Sequence, residues 1–430
     1  MGTGSLLCAR TDGATFREID IPRGRSSADG MVADPSPASA RPLVILGAGY
    51  AGLTVAQQVH RLSRGKLPIV LVDRSPAHIL RTQLYEIDRI AASGGDLRRW
   101  AVPLASVFEK TNVQIRTARV EHVDLAGHTV QLDSGTIEFG ALALCLESVA
   151  AYYGVPGAAE HTHSVYRLSA AQRLATAIRA MEIASIALAG ERRPRVLVIG
   201  GGSTGTELAA EVSTTDWAAI TKPGARRPDV MLLTGSLPFL AGFPPQLIEH
   251  ARELLVRAGV SIFYGWNVTR VEPDRLHLED GSVLRFDIAV WCAGLQAPPP
   301  VAELPIRHGR GGRITVEPTL EIPGHPGLFA VGDVIKFQDP KTGLVVPSTA
   351  QAALAEARVA AANVVARWKD TELQPFTYRE RGAALSVGHG AGAAALDRLT
   401  LWGSPAALFK RLIQRDYSHA VEQGESSRVL

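Results

Sequence analysis

The sequence predicts an α/β fold with mainly parallel sheets and two similar domains, the second inserted in the first. Apolar strands alternate with helix-forming segments along most of the 430 residues. The stretch VLVIGGGSTGTELAAE repeats the pattern of an earlier one, LVILGAGYAGLTVAQQ, and a third apolar segment, GLFAVGDV, follows well after the second copy. Each copy reads as a strand, a glycine-rich turn and a helix, which is the order of a Rossmann-like unit.

The first copy, called here the first cradle, carries Gly47, Gly49 and Gly52 at GxGxxG spacing. The first glycine allows the tight turn after the strand, the second lets the backbone approach a pyrophosphate, and the third lets the helix pack on the sheet. The helix N-terminus adds free N–H groups and a positive dipole. The next strand ends in Asp73, where an acid accepts hydrogen bonds from a ribose diol. The first cradle therefore predicts a dinucleotide site.

The second copy, called here the second cradle, carries Gly200, Gly202 and Gly205 before a helix-forming segment. Its next strand ends at Thr234 instead of an acid. Two complete strand–glycine–helix units disfavour the interpretation that these glycines only form turns. Two cradles in one chain indicate two dinucleotides held face to face. The common chemical use of that arrangement is hydride transfer from a nicotinamide to a flavin.

The segment GLFAVGDV is a short strand that ends in Gly332 and Asp333. A Gly-Asp pair at a strand end can be a simple turn. After an inserted second nucleotide domain, however, it is the place where a flavoprotein chain returns to its first domain. There the aspartate hydrogen-bonds the ribityl chain, so this strand assigns the flavin to the first cradle.

The order GAGYAGL, Asp73, YYGVPG, GGGSTGTELAAE, VWCAG, LFAVGD and STAQAAL resembles a known superfamily. It is similar to flavoproteins with two dinucleotide-binding domains, the pyridine nucleotide-disulfide oxidoreductases. Within them it most resembles the type II NADH dehydrogenases, or NADH:quinone oxidoreductases. The resemblance runs from about Leu43 to Asn363. It implies FAD in the first cradle, NADH or NADPH in the second, and a quinone or another small-molecule acceptor.

The resemblance also implies roles for individual residues. Val120 would meet the adenine through its backbone, and Asp333 would hold the ribityl chain. Gln351, beside the flavin ring, and Glu207, near the nicotinamide, are the expected catalytic residues. The expected cofactor-binding residues are Gly47, Gly49, Tyr50, Ala51, Gly52, Asp73, Val120, Gly332, Asp333, Ala350, Gly200, Gly202 and Gly205.

Three positions depart from the family pattern. Glu147, in the segment CLES, replaces a glycine where the backbone passes close to FAD. Thr234 removes the acid that recognises the ribose of NADH, so the preference between NADH and NADPH stays open. Ala355 stands where the quinone-site signature AQxAxQ has its second glutamine. A membrane quinone is therefore a weaker prediction than in a typical member.

Two other functions remain open at this point. The chain could be a flavin-dependent oxidase or dehydrogenase of a small organic molecule, with the second cradle serving only as architecture. Thr234 and Ala355 favour that alternative. It could also be a non-enzymatic scaffold that has lost FAD, which Glu147 would favour. Asp73 and Asp333 are both present, so the scaffold ranks last.

Composition excludes several other classes. A net charge of +3 disfavours an extended nucleic-acid surface. No apolar run approaches the roughly 18 residues of a membrane span. The histidines, His389 among them, show no metal spacing, so no metal site is predicted. Cys8, Cys145 and Cys292 form no CxxC pair, which argues against a dithiol exchanger and for the reducing cytoplasm.

The predicted organisation has five parts. They are a disordered leader 1–40, an FAD domain 41–157, a nicotinamide domain 158–315, the FAD-domain return 316–370 and a C-terminal module 371–430. The C-terminal module contains a segment, SPAALFKRLIQRD, that reads as a basic amphipathic helix. Its apolar face would carry Leu408, Phe409, Leu412 and Ile413, and its polar face Lys410, Arg411 and Arg415.

Such a helix can pack on the core of the protein, on a second subunit in a homodimer, or on an anionic membrane surface. Packing on protein is the more common case. Peripheral contact with the inner face of a membrane remains an alternative.

Overall fold

The computed structural model describes residues 41–187, 193–221, 226–396 and 399–426. The predicted leader 1–40 lies outside these residues. The strands, in chain order, are β1 Leu43–Leu46, β2 Ile69–Asp73, β3 Ala77–Ile79, β4 Ala101–Pro103, β5 Val113–Thr117, β6 Val120–Asp124, β7 Thr129–Leu132, β8 Gly135–Glu138, β9 Ala141–Leu144, β10 Val149–Ala150, β11 Arg195–Ile199, β12 Asp229–Leu233, β13 Val260–Phe263, β14 Val268–Val271, β15 Arg275–Leu278, β16 Val283–Arg285, β17 Ile288–Trp291, β18 Leu295–Gln296, β19 Ile314–Thr315, β20 Glu321–Ile322, β21 His325–Ala330, β22 Ile335–Lys336, β23 Ala383–Ser386, β24 Gly392–Leu396 and β25 Leu399–Trp402.

The helices connect these strands and cover the sheets. In chain order they are α1 Tyr50–Ser63, α2 Ile87–Ala92, α3 Leu104–Val107, α4 Ala158–His161, α5 Leu168–Ala187, α6 Ser203–Thr214, α7 Trp217–Ile220, α8 Pro245–Arg257, α9 Pro299–Ala302, α10 Ala350–Trp368 and α11 Ser404–Glu422.

The first sheet has the strand order β20-β21-β9-β1-β2-β5. Its neighbouring strands are parallel except for the β20-β21 pair. β1 is buried at every position, as expected for a parallel strand covered on both faces. β21 lies beside β9 with Leu328 opposite Leu142, although the whole second sheet lies between them in sequence. The return of the chain to its first sheet is therefore observed directly.

The second sheet has the order β13-β12-β11-β17, and all its pairs are parallel. The predicted α/β class with two mainly parallel sheets is confirmed. Each sheet has its own buried core, and the second core also includes residues of β23 and β24. The domain limits predicted from sequence remain a proposal.

The C-terminal segment forms the antiparallel sheet β23-β24-β25 followed by α11. α11 packs on β23 and β24 and also contacts α3. α10 packs along α1, the helix of the first cradle. α1 and α10 begin at the carboxyl edge of the first sheet, and the middle of α11 reaches the start of α1 there, where Tyr417 packs on Tyr50.

Candidate functional site

The main cavity has a volume of about 490 Å³ and lies where the two cradles face each other. It opens at the carboxyl ends of the parallel strands, the usual place for ligands in such sheets. The segments that line it include residues of the first cradle, the second cradle, the start of α10 and one side of α11. Among the lining residues are Gly49, Tyr50, Ala51, Glu147, Ser203, Thr204, Glu207, Gly332, Asp333, Ala350, Gln351, Lys410 and Tyr417.

The glycines of the first cradle differ in the space around them. Gly47 has a φ of +102°, and a Cβ added there would collide with the carbonyl of Cys145. A Cβ on Gly52 would collide with the carbonyl of Gly47, so the close approach of α1 to the sheet needs glycine. At Gly49 the nearest atom to an added Cβ is 3.7 Å away, on the Glu147 side chain. Gly49 is therefore the glycine that leaves room for a ligand.

α1 begins directly after Gly49, and no side chain in the described part of the chain caps its N-terminus. The free N–H groups of its first turn point toward the cavity edge at which Gly49, Tyr50 and Ala51 lie. Such an N-terminus binds a phosphate through its N–H groups and its dipole.

Asp73 ends β2, as predicted, and connects the strand to the glycine loop. Its Oδ2 accepts a hydrogen bond from the Ala48 N–H at 2.7 Å, and its Oδ1 accepts one from Ser75 N–H at 2.8 Å. Burial raises the pKa of Asp73 above its ordinary value. Val120 begins β6 and is buried. Like Asp73, it is not among the described residues that line the cavity.

Asp333 follows β21 at the edge of the cavity. Its Oδ2 accepts a hydrogen bond from Ser148 Oγ at 2.7 Å and another from Arg81 Nη1 at 3.3 Å. Burial opposes the charge of Arg81, but the carboxylates of Glu147 and Asp333 raise its pKa. Asp333 is thus held in place by two hydrogen bonds to one of its oxygens.

Glu147 projects over Gly49, close to where the sequence analysis placed it. Its Oε2 accepts a hydrogen bond from Arg74 Nη2 at 2.9 Å, and its Oε1 lies 3.8 Å from Arg81 Nε. Its side chain is 18% exposed. Two guanidinium groups therefore flank the Glu147 carboxylate, and because Arg81 also pairs with Asp333, two positive charges are balanced by two carboxylates beside Gly49.

The second cradle repeats the backbone of the first. Gly200 has a φ of +118°, and a Cβ there would collide with the carbonyl of Cys292. A Cβ on Gly205 would collide with the carbonyl of Gly200. At Gly202 an added Cβ would meet no described atom within 4 Å. In this cradle, too, a side chain would collide at the first and third glycines, and only the middle glycine has free space beside it.

Thr234 directly follows β12, at the position that corresponds to Asp73 at the end of β2. It is buried, and its Oγ1 donates a hydrogen bond to the carbonyl oxygen of Phe263 at 3.1 Å. Its methyl group lies against Gly201. The hydroxyl is therefore engaged with the neighbouring strand end.

Glu207 lies on α6, one turn into the helix, with its side chain at the cavity wall. Its Oε1 accepts a hydrogen bond from the Ser386 N–H at 3.0 Å and is also paired with Lys410 Nζ. Lys410 is buried, and its Nζ lies 4.9 Å from the centre of the Tyr85 ring. Burial lowers the pKa of Lys410 to about 7.

Lys410 corrects the amphipathic pattern predicted for α11. The sequence analysis placed Lys410 on the polar face, away from the apolar face that carries Leu408 and Leu412. In the structure Lys410 is buried, whereas Leu408 and Leu412 are 53% and 55% exposed. The assignment was wrong because the helix turns its lysine inward to Glu207, a residue that helical spacing cannot reveal.

Gln351 is the second residue of α10, and its side chain faces the cavity. Thr349 caps the helix, since its Oγ1 accepts a hydrogen bond from the Ala352 N–H at 3.2 Å. The Nε2 of Gln351 is buried and has no hydrogen-bond partner in the described chain. A buried amide without a partner is costly, so this donor fits a bound ligand. Ala355 packs on the first core and is not a described lining residue.

The residues present fit FAD in the first cradle. Gly49 leaves space beside a free helix N-terminus, two arginines flank that space, and an unpaired amide donor lies further along the cavity. The predicted residues Gly49, Tyr50, Ala51, Gly332, Asp333, Ala350, Gln351 and Glu207 all line this one cavity.

Residues 41–357 match the family described as pyridine nucleotide-disulphide oxidoreductase. The chain belongs to this family. It is therefore an oxidoreductase, as the sequence predicts, and the expected flavin and pyridine nucleotide cofactors are those of the family. The oxidase and scaffold alternatives are not favoured.

Two relatives show which members this oxidoreductase resembles. It is 29% identical over 369 residues to a type II NADH:quinone oxidoreductase from Mycobacterium tuberculosis, covering 80% of this chain and 77% of that protein. It is 27% identical over 382 residues to a type II NADH:quinone oxidoreductase from Staphylococcus aureus, covering 86% of this chain and 93% of that protein.

Solved structures show the same fold. NDH2 from Plasmodium falciparum in complex with NADH has a TM-score of 0.78 at 14% identity, covering 89% of this chain and 96% of that chain. The sulfide:quinone oxidoreductase from Aquifex aeolicus has a TM-score of 0.72 at 20% identity, covering 90% of this chain and 92% of that chain.

The disulphide chemistry in the family name has no counterpart among the described residues of this oxidoreductase. Cys145 and Cys292 are free and buried, each beneath the first glycine of its own cradle. Burial raises the pKa of Cys292 to about 12 and raises that of Cys145 as well. Neither of these buried thiols is a ready nucleophile.

Sequence reasoning missed an aromatic contact that links α11 to the first cradle. Tyr417 stacks on Tyr50 with ring centres 4.8 Å apart. Its hydroxyl lies 3.1 Å from His78 Nε2, and His78 Nδ1 lies 2.8 Å from the carbonyl oxygen of Ala48. Burial lowers the pKa of His78, so the neutral ring donates to Ala48 and accepts from Tyr417. These residues show no shared motif that could have connected them in advance.

Proposed function

We propose that this oxidoreductase is a type II NADH dehydrogenase, which oxidises NADH through FAD and reduces a quinone. The observation that carries the proposal is the single cavity of about 490 Å³ that both cradles and Gln351 line. The similarity to type II NADH:quinone oxidoreductases supports NADH as donor and a quinone as acceptor. Hydride acceptance from the nicotinamide and electron delivery to the acceptor are the chemistry that FAD supplies when bound.

The first cradle would bind and orient FAD. The N–H groups at the start of α1, with Arg74 and Arg81, bind the phosphates. Asp333 accepts hydrogen bonds from the ribityl hydroxyls, and Ser148 keeps its carboxylate in place. The Nε2 of Gln351 donates to the flavin or to the acceptor beside it. These interactions fix the distance over which electrons move, which is the main contribution of protein to such a reaction.

The second cradle would bind NADH at the N-terminus of α6 and direct it toward the cavity. Glu207 lies between the two cradles, and Lys410 Nζ holds a proton there. Reduction of a quinone to a quinol consumes protons, so a charged amine at the cavity wall suits that half of the reaction. Because the pKa of Lys410 is about 7, this proton is lost as the pH rises above about 7.

Anaerobic mixing tests the proposal. NADH should bleach the flavin absorbance, and a water-soluble quinone should restore it. NADPH should bleach the flavin more slowly. A Gln351→Ala variant should be bleached normally but reoxidised by the quinone at least about tenfold more slowly, because one hydrogen bond to an acceptor is lost. Gln338→Ala, in an exposed loop, is the matched control.

Three outcomes would overturn the proposal. A colourless protein that takes up no FAD would support the scaffold alternative. Oxygen-dependent peroxide release from a small organic substrate, without any nicotinamide, would support the oxidase alternative. Bleaching by NADH without reoxidation by any quinone would retain the donor and remove the acceptor.

The finer proposal on location is peripheral contact of the C-terminal module with an anionic membrane. No helix in the described parts of the chain is long and apolar enough to cross a bilayer. The C-terminal module carries four apolar side chains that are at least half exposed and two exposed arginines on α11. These residues are Leu399, Trp402, Leu408, Leu412, Arg411 and Arg415. Exposed apolar groups with cations suit the surface of an anionic bilayer.

Sedimentation with vesicles tests this contact. The protein should bind vesicles that contain anionic phospholipid, and a double variant, Leu408→Asn with Leu412→Asn, should lose most of that binding. Val283→Asn, at a half-exposed position of β16 outside the module, is the control. A dimer in solution that buries Leu408 and Leu412, with no vesicle binding, would replace the membrane by a second subunit.

A further inference from the structure

Three potential metal ligands from distant parts of the sequence meet beside α6. Asp88 lies in α2, Glu211 lies in α6, and His389 lies in the turn between β23 and β24. One ligand atom from each lies within 4.8 Å of the others. None of the three is among the described residues that line the main cavity. The cluster is therefore a separate feature of the molecule.

The distances suit a single metal ion. His389 Nε2 lies 2.8 Å from Asp88 Oδ2 and 3.8 Å from Glu211 Oε1. Atoms that bind one zinc ion at about 2.1 Å in tetrahedral geometry lie about 3.4 Å from one another. Movements of less than about 1 Å would therefore bring all three atoms to ligand positions.

Burial makes a cation favourable at this place. The side chains of Asp88 and Glu211 are only 9% and 6% exposed. Asp88 Oδ1 is buried and has no hydrogen-bond partner among the residues that the structure describes. Two buried carboxylates balance the charge of a divalent ion. The His389 side chain is 41% exposed, so a water molecule can complete the coordination from the solvent side.

Thr214 sets the orientation of the imidazole. Its hydroxyl donates to the Ala210 carbonyl oxygen at 2.8 Å, so its oxygen lone pairs are free to accept. They face the His389 N–H at 3.2 Å and the His389 Nδ1 at 3.4 Å. Without an ion, Nε2 lies at hydrogen-bond distance, 2.8 Å, from Asp88 Oδ2. With the proton on Nδ1 instead, the Nε2 lone pair would be free to bind a cation between the two carboxylates. Metal-binding histidines are commonly fixed by such a hydrogen bond on the other ring nitrogen.

We propose that Asp88, Glu211 and His389 bind one divalent transition metal ion, with zinc as the expected ion. An imidazole with two carboxylates suits zinc better than magnesium, which prefers oxygen ligands only and retains its waters. The ion would connect α2 and the β23–β24 turn to α6, the helix that carries Glu207. It would bind only the folded chain and so raise the melting temperature.

Calorimetric titration of the flavin-loaded protein with zinc chloride, after dialysis against EDTA, tests the proposal. We expect one ion per chain and a higher melting temperature with zinc than with magnesium. His389→Gln and Asp88→Asn should each weaken zinc binding at least about tenfold. His277→Gln is the matched control, because His277 Nε2 lies 3.3 Å from a single carboxylate, that of Glu272, outside the cluster.

Equal zinc binding by the native protein and His389→Gln would overturn the proposal, as would the absence of saturable binding in the native protein. If Asp88→Asn fails to fold, the absorbance of cobalt(II) bound to the native protein and to His389→Gln decides the matter. Ligand-field bands that disappear in His389→Gln support the site. Identical spectra place the cobalt elsewhere. None of these measurements depends on the identity of the electron acceptor.

Discussion

The two cradles have nearly the same backbone but differ in what faces their open glycine. Gly47 and Gly200, with φ values of +102° and +118°, each lie under the carbonyl of a buried cysteine. Two residues after that cysteine, the first cradle has Glu147 and the second has Gly294. The Glu147 carboxylate projects over Gly49, whereas Gly202 has no described neighbour at its Cβ position.

This difference shows that the backbone shape of a cradle and its charge are set by different residues. The glycine pattern determines a backbone shape that can receive a dinucleotide. The residues at the neighbouring strand ends determine the charge that the dinucleotide meets. In the first cradle that charge comes from Glu147 with Arg74 and from Asp73, whereas in the second the strand ends carry Gly294 and Thr234. The same fold thus holds two ligands in different electrostatic surroundings.

The largest difference between the two cradles is expected from substitution of the third glycine in each. Gly52→Ala would place a Cβ against the Gly47 carbonyl and should weaken FAD binding about 100-fold, or about 3 kcal/mol. Gly205→Ala would create the same collision with Gly200 and should leave the protein yellow but no longer bleached by NADH. Flavin absorbance and stopped-flow bleaching measure both effects. Equal loss of flavin in the two variants would contradict the assignment of one cofactor to each cradle.

The next largest effect is expected on the pH dependence of stability, through a buried glutamate near the first cradle. Glu356 accepts a hydrogen bond from the Gly332 N–H at 2.7 Å, and burial raises its pKa to about 8. The unfolded chain releases this proton near pH 4.5, so native stability should fall as the pH rises from about 4.5 to about 8. Glu356→Gln should remove that part of the slope, at most about 5 kcal/mol.

The melting temperature at pH 5 and pH 8, at saturating FAD, measures this effect. The Glu356→Gln variant should gain stability relative to the native protein at pH 8 and not at pH 5. The exposed Glu372→Gln variant is the control. An unchanged pH slope in Glu356→Gln would show that Glu356 ionises normally.

Removal of the carboxylate over Gly49 should change the affinity of the first cradle for FAD. Glu147→Gln should bind FAD about tenfold more tightly, because it removes a negative charge beside the phosphates and releases Arg74. The gain should shrink at high salt. Equilibrium titration of FAD into the apoprotein measures it, with the surface variant Glu138→Gln as control. Weaker FAD binding in Glu147→Gln would mean that the carboxylate itself helps to hold the cofactor.

The smallest effect is expected on the preference between NADH and NADPH, when Thr234 of the second cradle is replaced by the acid that the first cradle has at this position. Thr234→Asp should raise the ratio of kcat/KM for NADH over NADPH about fivefold, because the acid accepts the ribose diol and repels a 2′-phosphate. Thr234→Ser is the control, since it keeps the hydroxyl. A ratio that does not change would place nucleotide selection elsewhere in the second cradle.

Sequence reasoning predicted the cradles well because their function depends on local backbone. Gly49, Asp333 and Gln351 line the cavity as expected. It failed on Lys410, since helical spacing gives the face of a residue but not the charge that face meets. It had no means to find Tyr417 with His78, or His389 with Asp88 and Glu211, because each contact joins elements that are distant in the chain.

Two glycine-lined turns, each between a buried strand and a helix, could be predicted from the sequence alone. The steric freedom of glycine and hydrophobic periodicity both act over only a few residues. Three features became known only from the tertiary structure. The turns face one cavity, a buried lysine contacts Glu207 there, and Glu147 projects over Gly49 between two arginines. Packing of whole sheets and helices sets those distances, and electrostatic interactions depend on distance and burial rather than on order along the chain.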